Sequence, residues 1–142
     1  MVSFSSLIRS KAKCSDLLSC FLDLNNLEIT IFYTLLSRGR ATLDDLAAIV
    51  SRDRSTVFRN LQKLDSLGLV SKEMTSLDRG GRVSIFVPSD IPTIKEIISQ
   101  RIESIKRSMD SFLNEFEQRM NLEMVIYGDM KDQPHLKSVK SI

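Results

Sequence analysis

The chain has 142 residues, of which 42% are hydrophobic and 27% charged, a balance typical of a globular domain that buries a core. Its 20 Lys and Arg against 18 Asp and Glu give a net charge of +2, so total charge alone identifies no partner. Because it has neither an apolar run of about 18 residues nor a signal-peptide pattern at the start, we expect a cytoplasmic protein with no membrane partner.

The first segment carries apolar residues at helical spacing over residues 3–21 and predicts one amphipathic helix. We assign residues 1–23 to this helix and expect it to contribute to dimerisation. Cys14 and Cys20 lie on different faces of such a helix, so they cannot pair without unwinding it. We interpret both as small buried hydrophobic residues. A redox-sensing or intersubunit thiol is the alternative.

Residues 24–90 contain the start and stop signals of three short helices, followed by a hairpin. Asn25 and Glu28 have the spacing of a capping box at the start of the first helix, and Gly39 is placed to end it. Thr42 is then placed to cap the second helix, with two aspartates in its first turn.

The third helix of this set begins at Ser51 or Asp53 and ends at Gly68. A turn of about three residues joins it to the helix before, which is typical of a helix-turn-helix. Two β-prone runs, 69–74 and 83–87, enclose a turn-forming segment and predict a two-stranded hairpin. The order of these elements predicts a winged helix-turn-helix, mainly α-helical with a small β-hairpin wing.

A long helix is predicted over residues 91–127, followed by a flexible tail over residues 128–142. Its apolar residues follow the alternating spacing of four and three that defines a coiled coil. We expect this seam to dimerise the protein, the alternative being a helix that folds back on its own domain. The seam residues are Ile98, Ile102, Ile105, Met109, Phe112 and Phe116.

The third helix has a polar face that suits the major groove of duplex DNA, because Arg pairs with guanine and hydroxyl groups contact phosphates. Residues 38–63 hold six basic and three acidic residues, a local excess of positive charge greater than that of the whole chain. The alternative is an ordinary solvated helix face. The candidate DNA-binding residues of this helix and the turn before it are Arg52, Arg54, Ser55, Thr56, Arg59 and Lys63.

The predicted hairpin tip carries Arg79 and Arg82 on either side of two glycines. The glycines let the backbone approach closely while both guanidinium groups project, so we expect contact with the DNA backbone or minor groove. A hairpin turn with incidental charge is the alternative interpretation.

Residues suited to catalysis are scarce. Two cysteines and a single histidine, His135, leave little material for a metal site or a histidine-based triad. We therefore predict no catalytic residues, no metal and no cofactor, and we do not expect an enzyme.

Residues 24–90 resemble the DNA-binding domain of the archaeal TrmB-like winged-helix regulators, with MarR-like proteins as near relatives. The residues that carry the resemblance are Tyr-Thr-Leu-Leu-Ser-Arg-Gly at 33–39, Arg-Ser-Thr-Val-Phe-Arg at 54–59 and Gly-Leu-Val at 68–70. The resemblance implies a transcription regulator in which Ser55, Thr56 and Arg59 meet DNA. Larger members carry a sugar-binding effector domain that we expect this chain to lack, so a small-molecule effector is left unassigned.

We therefore interpret the chain as a sequence-specific transcriptional regulator that binds double-stranded DNA as a homodimer. The alternative is a winged helix that serves as a protein-binding module of a larger assembly. Such a module would expose aromatic or aliphatic side chains on the third helix, where the sequence places polar ones.

Overall fold

The structure is a computed structural model that describes residues 4–8 and 11–131. Two compact units divide between Ile102 and Glu103. The first contains the winged helix and the start of the C-terminal helical segment, and the second contains the rest of that segment.

The N-terminal segment forms two helices, α1 (Phe4–Ile8) and α2 (Cys14–Leu22). The single helix predicted over residues 3–21 is therefore wrong, because residues 11–13 lie outside both helices. Leu18 and Leu22 of α2 are buried in the core of their own chain. That face of α2 is consequently not available to a partner, whereas the prediction assigned the segment to dimerisation.

Three helices follow, α3 (Asn26–Arg38), α4 (Leu43–Val50) and α5 (Arg54–Ser66). The capping box predicted at the start of α3 is present, with Asn25 accepting from the Glu28 N–H and Glu28 accepting from the Asn25 N–H. Thr42 caps α4 as predicted, and Asp53 is the residue that caps α5. Local side-chain chemistry thus fixes where each helix begins.

The wing is part of a three-stranded antiparallel sheet made of β1 (Ala41–Thr42), β2 (Val70–Ser76) and β3 (Arg82–Pro88). Its strand order is β1-β3-β2. The predicted two-stranded hairpin is present, and β1 adds a third strand, with Ala41 opposite Phe86. An isolated hairpin is marginal in water, and pairing with β1 ties the base of the wing to the start of α4.

The core of this unit lies between α3, α4 and α5 and extends to the sheet. Its apolar stripes follow the helical period, so each helix turns one face inward. The fully buried large side chains are Phe32, Ile31, Leu35, Leu46, Leu61, Leu64, Leu69 and Val57. Three of these come from α5, so the opposite face of α5 is turned to solvent.

The C-terminal segment forms α6 (Ile91–Asn114) and α7 (Phe116–Lys131). The helix predicted over residues 91–127 is therefore interrupted at Glu115, whose N–H donates to the Phe112 carbonyl three residues back, at 3.1 Å. A bond of that spacing tightens the helix locally. Helix α7 also runs past residue 127, so residues 128–131 are helical and not a tail. The remainder of the predicted tail, from 132 onward, lies outside the described residues.

Candidate nucleic-acid interface

Asp53 organises the start of α5. Its carboxylate accepts from the Thr56 hydroxyl at 2.6 Å, from the Thr56 N–H at 3.3 Å and from the Ser55 hydroxyl. The Ser55 hydroxyl, followed by that of Thr56, lowers the pKa of Asp53 from 3.8 to about 2, because these bonds favour the ionised form. The two hydroxyls proposed for DNA contact thus donate to Asp53, a partner that the sequence showed only as a candidate cap.

The exposed face of α5 is polar along its length. Val57, Leu61 and Leu64 are fully buried, which turns the opposite side of the helix outward. Arg59 lies in the middle of that side, and its guanidinium donates to the Thr56 hydroxyl oxygen at 3.4 Å. The exposed residues of the helix are Arg54, Ser55, Arg59, Gln62, Asp65 and Ser66. No aliphatic or aromatic side chain belongs to this exposed set.

The two arginines nearest the helix start have different surroundings. Arg52 lies just before Asp53, is exposed, and donates from Nη1 to the Ser51 carbonyl at 3.2 Å. Arg54 is also exposed, but its Nε lies 2.8 Å from an Asp44 carboxylate oxygen at the start of α4. An exposed pair of this kind stabilises little and exchanges readily with water or another anion. Arg54 can therefore leave Asp44 for a phosphate at small cost.

Lys63 is oriented differently from the prediction. Its ammonium group lies 3.0 Å from Glu28 Oε1 and donates to the Asp23 carbonyl at 2.6 Å. The ammonium thus points into the fold and not outward, which corrects the orientation inferred from helical spacing. The signal that could have suggested it was Glu28, a carboxylate on a helix whose other inward residues are apolar.

The tip of the wing is a tight turn between β2 and β3. The Leu77 N–H donates to the Gly81 carbonyl and the Gly80 N–H to the Leu77 carbonyl, both at 3.0 Å. Gly80 and Gly81 adopt φ of 86° and 87°, a region that side chains with a Cβ rarely enter. Arg79 and Arg82 flank this turn and are exposed, so both guanidinium groups can reach an external surface.

The predicted seam residues are poorly covered in a single chain. Met109, Phe112 and Phe116 are 54%, 45% and 44% exposed, respectively. Phe112 gains one contact within its own segment, because the Arg119 guanidinium lies 4.9 Å from the centre of its ring. Ile98 and Ile105 are half-buried, while Ile102 is exposed. A large apolar stripe is thus left without cover on this segment.

Among residues 4–8 and 11–131 there is no cluster of His, Cys, Asp and Glu side chains that could hold a metal ion. Every helix in that part of the chain is too short or too polar to span a bilayer. The two cysteines are not disulfide-bonded, Cys14 being exposed and Cys20 partly buried.

Comparison with known proteins extends these observations. A model of the family described as "Sugar-specific transcriptional regulator TrmB" matches residues 18–91, just over half of the 142 residues. Among curated proteins, the uncharacterized protein MJ1503 of Methanocaldococcus jannaschii is 27% identical over 102 residues, which cover 72% of this chain and 77% of the relative.

Solved structures show the same fold. A possible transcriptional regulator from Methanosarcina mazei Go1 is 26% identical with a TM-score of 0.65, over 75% of this chain and 90% of the other. TrmBL2, an archaeal chromatin protein, is 18% identical with a TM-score of 0.57, over 78% of this chain and 40% of its own. These likenesses confirm the winged-helix fold class predicted from the sequence.

Proposed function

The chain belongs to the TrmB family of transcriptional regulators, and from that premise we propose that it recognises specific sequences in duplex DNA as a homodimer. Regulation of transcription is the property of the family. Sequence-specific recognition, the homodimer and the residues that carry them are our proposal.

The observation that carries the proposal is the arrangement of α5. Its inward stripe is fully buried, which fixes the side of the helix that faces the core, and its outward side presents Arg59 and Gln62 among other exposed polar residues. An α-helix fits the major groove, where an Arg forks onto guanine and a Gln onto adenine. A surface that binds another protein would instead be enriched in exposed aromatic residues.

The residues around the helix start would contact the DNA backbone. Asp53 holds the Ser55 and Thr56 hydroxyls in place, and each would contact a nearby phosphate by turning its O–H from the carboxylate to a phosphate oxygen. Arg52 is exposed beside them, and Arg54 would exchange Asp44 for phosphate. We assign Arg59 to base recognition, because it lies in the middle of the exposed side.

The wing would add a second, sequence-independent contact. Arg79 and Arg82 flank a turn in which neither glycine carries a side chain that could block a phosphate. Arginine contacts of this type set the position of a protein on DNA without reading its sequence. We expect them to contribute affinity for all duplexes alike.

Dimerisation would supply two copies of α5 for the two halves of a palindromic site. The uncovered seam of α6 and α7 is the part of the chain that we assign to this contact, since its apolar side chains follow a coiled-coil spacing. A homodimer with two-fold symmetry matches DNA half-sites about one helical turn apart.

Selection of bound fragments from genomic DNA, followed by titration of the selected duplex, tests the proposal. Arg59→Ala should weaken binding to that duplex by about 1–3 kcal/mol per half-site and relax the preference at one base position of each half-site. Lys131→Ala removes a charge from the exposed end of α7 and is the matched control, for which we expect a much smaller effect. Equal losses in both variants would show that only bulk charge matters.

A further inference from the structure

A buried carboxylate lies behind the DNA-facing helix. Glu28 is only 4% exposed at its side chain, while Lys63 is 38% exposed. The Glu28 Oε1 atom accepts from the Asn25 N–H at 2.7 Å and from the Lys63 ammonium at 3.0 Å. Lys63 also donates to the Asp23 carbonyl at 2.6 Å. One ammonium group therefore joins the last turns of α5 to the junction between α2 and α3.

The buried Glu28 carboxylate requires the Lys63 ammonium group at one defined position. A carboxylate taken out of water is costly unless it is paired and hydrogen-bonded, and Glu28 meets both conditions only when Lys63 is in place. Asp23 adopts a left-handed conformation with φ of 57°, which ends α2. Lys63 therefore bonds to residues that precede it by 35 and 40 positions in the sequence. Both bonds form only when the tertiary structure brings α5 to the correct position beside α3 and the end of α2.

The consequence for α5 follows from where Lys63 sits. The apolar stripe of α5 fixes which side of the helix faces the core, but apolar contacts are not directional and tolerate small rotations and slides. A short, charged hydrogen bond near the end of the helix is directional and restricts those movements. Because Arg59 lies one turn before Lys63, a rotation of α5 would displace its guanidinium group.

We propose that Lys63 and Glu28 are positioning residues, which lock the orientation of α5 so that Arg59 meets its base, and that Lys63 does not contact DNA. This inference rests on the proposed function, since it specifies how that interface is held. The charge of Lys63 is neutralised by Glu28, so it releases no counterion when the protein binds. A phosphate-binding lysine would behave differently, because each such contact steepens the salt dependence of affinity.

The test compares affinity for the selected duplex with affinity for a scrambled duplex of the same length, each over a range of salt concentrations. In Lys63→Met we expect the ratio of the two affinities to fall about tenfold, as much as one mismatched base pair typically costs. The salt slope should be that of the wild type. In Arg79→Met, by contrast, the slope should become shallower by about two, because each chain of the homodimer loses one phosphate contact.

Two further variants separate positioning from general stability. Asn25→Ala removes the side-chain cap of α3 but leaves the Lys63–Glu28 pair in place, so it should lower stability and leave the affinity ratio unchanged. Glu28→Gln keeps an oxygen for the Asn25 N–H while removing the charge, and should reproduce the loss of specificity. The double variant should lose no more than either single variant, since both act through one contact.

The outcomes distinguish this inference from the proposed function. A wild type that shows no preference for any duplex would overturn the proposed function and the inference together. A wild type that binds specifically, with an unchanged affinity ratio in folded Lys63→Met and Glu28→Gln, would overturn the inference alone. A shallower salt slope in Lys63→Met would also overturn it, because Lys63 would then be a phosphate contact. Should Lys63→Met fail to fold, Glu28→Gln supplies the same comparison.

Discussion

Ile105→Asp perturbs the uncovered seam of α6 and should dissociate the homodimer. The free energy that the seam contributes to dimerisation can be worked out from its neighbouring residues Met109, Phe112 and Phe116. Close to half of each of these residues is exposed in a single chain. Full burial of such a side chain is worth roughly 1.5–3 kcal/mol, so covering the exposed halves in two chains would contribute about 4–9 kcal/mol.

That contribution must exceed the entropy lost when two chains associate, which is about 4–15 kcal/mol. The seam of a dimer is therefore stable only if nearly all of it remains apolar. An aspartate at position 105 in each chain would place two carboxylates in an apolar contact at a cost of several kcal/mol. Since about 1.4 kcal/mol is a tenfold change, we expect dimer affinity to fall at least a hundredfold.

Sedimentation velocity over micromolar concentrations measures this directly, with circular dichroism to confirm that the variant is folded. Ser104→Asp is the charge-matched control, because Ser104 is exposed on the same turn but lies outside the seam. Affinity for the selected duplex should fall with the dimer, since one set of half-site contacts replaces two. A monomeric wild type, or an Ile105→Asp variant that stays dimeric with full affinity, would refute the reasoning.

Three other predictions follow from the winged helix. Replacing Arg79 and Arg82 with Ala should weaken binding to selected and scrambled duplexes equally without changing the melting temperature; a selective loss would assign base recognition to the wing. The pKa of Asp53 is lowered to about 2 from an ordinary 3.8, so its ionised form stabilises the folded state above that ordinary value, and this contribution is lost as the pH falls toward 2. Urea unfolding at several pH values should therefore show that the advantage of wild type over Asp53→Ala shrinks between about pH 4 and 2; a difference that does not vary with pH would contradict this cause. Leu61→Ala should lower the free energy of unfolding by about 2–5 kcal/mol because Leu61 is fully buried. Gln62→Ala, at the exposed neighbouring position, should change it by no more than about 0.5 kcal/mol. Equal costs would show that the buried face of α5 is misassigned.

Local chemistry made much of the fold predictable from the sequence. The Asn25–Glu28 capping box and the Thr42 cap depend on residues three apart, so their spacing is visible in the chain itself. The buried stripe of α5 was likewise predictable from its period. Helical spacing together with the two β-prone runs predicted the fold class, because the winged helix is a set of short elements in a fixed order along the chain.

Long-range and irregular features were not predictable in this way. Strand β1 is only two residues long and depends on β3, more than forty residues later. The interruption at Glu115 carries neither proline nor glycine, and the apolar spacing continues from Phe112 to Phe116 across it. Sequence spacing therefore predicted a continuous helix where the backbone makes a tighter turn.

In the candidate interface, too, the sequence predicted the local features and missed a long-range one. The burial of Val57 on α5 implied that Arg59 faces outward, and it does. The predicted outward orientation of Lys63 was wrong because its long side chain reaches inward to Glu28, which lies 35 residues earlier in the sequence. A helical wheel gives the direction of a Cβ atom, but not the end point of a flexible side chain.

The most direct test of the central claim is the affinity of the wild-type protein for its selected duplex as a function of salt. Arg52, Arg54, Arg79 and Arg82 are exposed in each chain, and we assign all four to the DNA backbone. In a homodimer, their contact with DNA predicts a slope of log affinity against log salt of about −7. Between 50 and 200 mM salt, affinity should then fall roughly ten-thousandfold. A flat response, or no binding at the lower salt concentration, would contradict the claim that this winged helix binds DNA.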